Sequence, residues 1–95
     1  MSEFEELKNN IDNYVEGLDL AKRTKNDYRL ILNDYFKFVI NQKYAPTRQT
    51  ILDYKASLDK RNFKAASIQK YMVCIRGFYT YLNATDKGKN LALGI

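Results

Sequence analysis

Histidine and tryptophan are absent from this 95-residue chain, and cysteine and proline occur once each. Without histidine there is no imidazole base, no imidazole metal ligand and no Ser-His or Cys-His nucleophile pair. Cys74 has no second cysteine to bridge and cannot build a zinc site, which fits a reducing cytoplasm. A single proline and four glycines are few for an all-β protein of this size. The glycines, at 17, 77, 88 and 94, form no phosphate-cradling loop. No apolar run approaches the ~18 residues of a membrane span, and residues 1–6 are acidic, unlike the start of a secretory signal. The carboxylates of Glu5 and Glu6 fit an exposed acidic helix better than a catalytic pair. The chain by itself is therefore expected to be no enzyme, to take no cofactor, and to hold no metal.

Acidic residues become scarce after position 19. Residues 1–19 hold six acids and one base, a net −5; residues 20–95 hold fifteen bases and five acids, a net +10. A segregated basic surface is the footprint of a polyanionic partner, although a solvated face would look the same in composition.

Apolar residues supply 45% of the chain, including eight tyrosines and five phenylalanines, enough for one modest core. Their spacing predicts four helices. The first, over roughly 3–18, places Phe4, Leu7, Ile11, Tyr14, Val15 and Leu18 on one stripe. The second, over roughly 22–42, carries Tyr28, Ile31, Leu32, Tyr35, Phe38 and Val39. Leu30, Phe36 and Ile40 widen that stripe, so this helix is expected to be wrapped on more than one side. Thr24 is either its N-cap or a member of its first turn. A loop follows from Asn41 to Pro46, because a proline disfavours helical geometry at the residue before it. Thr47 is a good N-cap for a third helix over roughly 48–60, expected to bury Ile51, Leu52, Leu58 and either Tyr54 or the stem of Lys55. Phe63 should fold back into the core. The fourth helix, over roughly 65–83, carries Ile68, Tyr71, Met72, Ile75, Phe78, Tyr79 and Leu82. Gly77 weakens it by ~1 kcal/mol relative to alanine, and a tight helix contact would account for its presence. Residues 84–95 read as a linker whose apolar end, Leu91 to Ile95, either folds back or enters a further domain. The second outcome is the expected one.

Two of these helices share a layout 43 positions apart. Thr24, Tyr28, Leu32, Tyr35-Phe36 and Phe38-Val39 match Ser67, Tyr71, Ile75, Phe78-Tyr79 and Tyr81-Leu82. Each has a polar, cationic start and an aromatic tail. The tyrosines fall on the apolar stripes and are expected in the core, with Cys74 as a small filler there. The starts are the candidate site. One offers Lys22, Arg23, Thr24 and Lys25, with Arg29 a turn on; the other offers Lys64, Ala66, Ser67, Gln69 and Lys70, with Arg76 farther along. Free backbone N–H groups and the positive dipole end favour phosphate at such positions. Lysine and arginine add attraction, threonine and serine donate short hydrogen bonds, and glutamine can pair with an adenine edge. Small alanines would let the backbone approach a groove wall. Each residue also has a plain structural use, in a first helical turn or on a solvated face.

Laid out in this way, the chain resembles the N-terminal core-binding, SAM-like domain of phage integrases, in the tyrosine recombinase family. The second helix of that domain shows a hydroxyl, a tyrosine four residues on, then leucine and an aromatic pair, as in Thr24, Tyr28, Leu32 and Tyr35-Phe36. The fourth shows Thr/Ser-Ile, then arginine and paired aromatics before Tyr-Leu, as in Ser67-Ile68, Arg76, Phe78-Tyr79 and Tyr81-Leu82. Thr47 with Ile51 matches the start of the third. Asn90 before Leu91 resembles the Asn-Pro boundary of the family. Ala21 and Lys64 depart from its frequent serines, and Leu91 from its proline.

The resemblance implies an all-α, compact four-helix bundle over residues 1–83. It also implies a bacterial cytoplasmic protein of a phage or mobile element. Such a domain clamps a double-stranded DNA core site together with a catalytic domain of the same polypeptide and with other recombinase protomers, away from any membrane. The strand-cleaving Arg, His and Tyr would lie beyond residue 95, and the linker 84–95 would lead to them. The competing expectation is a helical SAM-like module that binds another protein.

Overall fold

The structure is a computed structural model describing residues 3–42, 46–93 and 95, with the side chains of residues 3–5 outside that description. Four apolar stripes become four helices: α1 (Glu3–Glu16), α2 (Lys22–Asn41), α3 (Arg48–Lys60) and α4 (Ala65–Ala84). The Phe4 side chain of the first stripe and residues 43–45 of the expected 41–46 loop fall outside that description.

Local chemistry sets the helix ends. Ala21 and Lys64 occupy the N-caps of α2 and α4, and neither side chain caps. Thr24 therefore sits in the first turn of α2 and is not its cap. At α3, Thr47 is the N-cap as expected, and its N–H donates to Thr50 Oγ1 at 3.0 Å. That bond satisfies a donor the helix cannot reach. The C-termini of α3 and α4 close alike. Asn62 and Asp86 take positive φ angles of 65° and 59°. Beyond them Phe63 N–H reaches the Leu58 carbonyl at 3.1 Å, and Lys87 N–H the Leu82 carbonyl at 2.8 Å. This is the Schellman closure, in which a left-handed residue turns the chain back over its last carbonyls. It aims Phe63 at Tyr71, edge-on with centroids 5.2 Å apart.

Partners along α2 and α4 advance in step. Cys74 Sγ approaches the Tyr28 carbonyl at 3.8 Å, Tyr35 and Tyr79 hydroxyls meet at 2.8 Å, and Phe36 packs on Phe78. The two helices thus run in the same direction. Helix α3 runs against α2, since Gln42 meets Thr50, Phe38 meets Tyr54 and Asp34 meets Arg61. The core is built on Tyr35, Tyr54, Phe78, Leu32, Ile51, Leu58, Ile75, Val15 and Cys74, all essentially sealed from solvent. Burial pushes the Tyr79 phenol up to about 12, although the bond from Tyr35 opposes the shift.

Three apolar residues expected inside are outside. Leu30, Ile40 and Leu52 are 68%, 54% and 38% exposed. Helix α2 is covered by α1, α3 and α4 but leaves one strip open, where Leu7, Ile11, Leu30, Phe36 and Ile40 line a groove of about 440 Å³. The end of the chain also differs from an open linker. Ala92 is buried, Leu91 and Ile95 pack on the core, and Arg48 donates to the Leu93 carbonyl. Burial of an apolar segment explains the return, since water offers it no comparable surface. Among the described residues, no helix is long and apolar enough to cross a membrane.

Gly77 has the tight contact that its position called for. A Cβ there would run into the Tyr14 hydroxyl, with Tyr14 Cζ 3.3 Å away. The Tyr14 ring cannot easily swing aside, because Phe78 and Tyr81 hold it at centroid distances of 5.6 and 5.5 Å. Overpacking costs ~1–3 kcal/mol, against a gain of ~1 kcal/mol in helix propensity. Gly77→Ala should therefore lower the melting temperature by about 5 °C. Tyr14→Phe in the same chain should recover part of that loss, measured by circular dichroism melts.

Candidate nucleic-acid interface

Because α2 and α4 run in the same direction, their N-terminal turns open at the same end of the molecule. Lys70 Nζ lies 3.1 Å from Asp27 Oδ2, so the two candidate clusters meet in one ion pair. The positive ends of two helix dipoles thus point the same way beside a group of cations.

The candidates divide by what already holds them. Lys22, Arg23, Lys64, Ser67 and Gln69 are exposed and make no side-chain hydrogen bond or ion pair among the described residues. Ala66 is exposed beside them, and Thr24 is half-buried at the foot of α2. Lys25 and Arg29 are engaged by α1. Lys25 Nζ donates to the Glu16 carbonyl at 3.2 Å. Arg29 pairs with Asp12 at 3.4 Å and with the Glu16 carboxylate, and also donates to Asn26 Oδ1 at 3.3 Å. Arg76 donates to the Ile95 carbonyl at 3.2 Å.

Helix α4 splits its candidates between two sides. Lys70 faces α2, whereas Gln69 and Arg76 line a groove with Ala65, Ile68, Lys55 and Ile95. Arg76 is therefore separated from the Lys22–Lys25 cluster. Lys55, which spacing in the sequence did not group with either cluster, joins this groove through the α3–α4 packing. Cys74, expected as a small core filler, is sealed in the core, and burial pushes its thiol up to about 12 despite nearby Lys70.

A model of the phage integrase N-terminal SAM-like domain matches residues 11–86. The chain belongs to this family. The match covers all of α2, α3 and α4 and the half of α1 that touches Arg29. The integrase SAM-like domain thus includes both candidate turns and the α1 acids beside them. No curated protein and no solved structure matches the chain.

Within this integrase domain, one further cation is tied into the fold. Arg61 Nη1 lies 2.9 Å from Asp34 Oδ2, which also accepts from the Tyr54 hydroxyl at 2.5 Å. Arg61 also stacks over Phe63 at 4.8 Å. Burial alone would raise the Asp34 carboxyl, but the bonds from Tyr54 and Arg61, with the charges of Arg61 and Lys37, hold it below its ordinary 3.8. The unfolded chain then takes up the proton first as pH falls. Asp34 stabilises the fold fully above its ordinary pKa, and the benefit fades as pH drops through the lowered one. Asp34→Asn should cost about 1 kcal/mol at neutral pH. The gap in melting temperature between the two proteins should close in acid, as followed by scanning calorimetry from neutral pH to below the carboxylate range.

Proposed function

We propose that this domain binds double-stranded DNA through the paired N-terminal turns of α2 and α4. In this reading it holds the core site of a site-specific tyrosine recombinase and orients a separate catalytic domain. The observation that carries the reading is the shared end of α2 and α4: two dipole ends and the free cations Lys22, Arg23 and Lys64 present themselves together. Family membership supports the recombinase context.

Roles follow from reach and chemistry. Lys22, Arg23 and Lys64 meet phosphate first, where charge acts at a distance. Thr24 and Ser67 donate hydrogen bonds to phosphate oxygens near free backbone N–H groups. Gln69 is the residue suited to a base edge, since its amide can donate and accept at adenine. Lys25, Arg29 and Lys70 join as their internal partners give way, and Arg76 extends the binding surface along α4. Strand cleavage belongs to residues outside this chain.

The test uses Lys22→Glu with Lys64→Glu. Both positions open a helix, where an acid complements the dipole, so thermal stability should hold or rise. Affinity for duplex DNA should fall roughly tenfold, and the salt slope should drop by about 0.9 for each phosphate no longer neutralised. Fluorescence anisotropy across a salt series reads both. Unchanged affinity would sink the site assignment. No binding by the parent domain at any salt would sink the DNA reading and leave the protein-interaction module, for which the groove at Leu30 and Ile40 is the suitable surface.

A further inference from the structure

We propose that the C-terminal half of α1 is an internal stand-in for the phosphate backbone, holding Arg29 and Lys25 back until DNA displaces it. The proposal rests on the DNA-binding reading above and concerns how that site is regulated.

The geometry is that of an anion site already filled. The Arg29 guanidinium is shared between the Asp12 and Glu16 carboxylates. The Lys25 ammonium takes the backbone carbonyl of Glu16, the last residue of α1, where the helix dipole is negative. Carboxylate and carbonyl oxygens here meet the donors that a phosphate diester would otherwise meet. Exposure points the same way. The Arg29 side chain is 28% exposed, while those of Asp12 and Glu16 are 52% and 65% exposed. Solvent at this corner therefore sees mainly carboxylate. Asp12 and Glu16, two of the six acids in residues 1–19, thus lie against the first turns of α2.

This arrangement changes what binding releases. A free lysine on the surface gathers mobile anions, and the DNA phosphate gathers mobile cations; their meeting releases both. A cation already neutralised by a fixed carboxylate gathers few anions. Using it requires an exchange of internal for external partner, with little net gain. The exchange is reversible in practice because exposed ion pairs are individually weak. Lys22, Arg23 and Lys64 set the first affinity, and Arg29 and Lys25 form a reserve controlled by α1.

The experiment measures binding to a short random-sequence DNA duplex by anisotropy over a salt series. Asp12→Asn with Glu16→Gln should tighten binding about threefold to tenfold and steepen the salt slope by up to roughly 0.9 per cation released. Glu6→Gln, which removes a carboxylate at the other end of α1, should change neither. Arg29→Gln should cost little in the parent domain but should abolish most of the gain in the Asp12→Asn, Glu16→Gln background. Equal or weaker binding by that double variant, or the same cost of Arg29→Gln in both backgrounds, overturns the proposal. Should the double variant lose its helical circular dichroism, Glu16→Gln alone must still tighten binding, because it frees one side of Arg29 while Asp12 still joins α1 to α2. If Lys22→Glu with Lys64→Glu weakens binding while the Asp12 and Glu16 variants have no effect, the DNA reading stands and only this inference fails.

Discussion

The hydrogen bond between the Tyr35 and Tyr79 hydroxyls decides how α2 lies on α4. Both rings are buried, and a phenol left unpaired there would cost ~1–3 kcal/mol. Sliding either helix by one turn would separate the hydroxyls and bury both without partners. The register is therefore held by polarity inside an otherwise apolar core. The edge-on packing of Tyr54 and Phe36 around Tyr35 depends on that register. So does the relative height of the two N-terminal turns at their shared end. A surface feature, the meeting of Lys70 with Asp27 from sites 43 residues apart, is thus supported from the interior.

Helix boundaries were legible because they depend on local chemistry. Thr47 caps α3, Pro46 lies between α2 and α3, and each apolar stripe has helical spacing, so the expected spans agree with the observed ones to within about two residues. The sides of the helices were less legible. Leu30, Ile40 and Leu52 are as apolar as their buried neighbours, and hydropathy does not report how wide a strip the other helices cover. The candidate site divides along the same line. That its residues open helices follows from the sequence. That Arg29 belongs to Asp12 and Glu16 does not, since those partners are 17 and 13 residues away and meet only once α1 has folded against α2. That Leu91, Ala92 and Ile95 pack on the core was likewise set by contacts far away in sequence.

Two kinds of polar contact serve different ends in this small bundle. Asp34, Tyr54 and Arg61 join α2 to the α3 terminus through short bonds at a partly covered carboxylate. Arg61 is thereby committed to structure, with its flat face over Phe63. The ion pairs of Arg29 and Lys70 each join a helix start to a neighbour across carboxylates that stay open to solvent. The carboxylate at the α3 turn is the more covered one, and those at the shared end are the more open.

The sealed position of Cys74 has a consequence for protons. With no histidine, the thiol is the side chain whose ordinary midpoint comes nearest neutrality, and burial carries it to about 12. Across the range in which cells vary their acidity, no side chain of this type is left to change the charge of the shared end. Cys74 therefore contributes packing and no charge across that range.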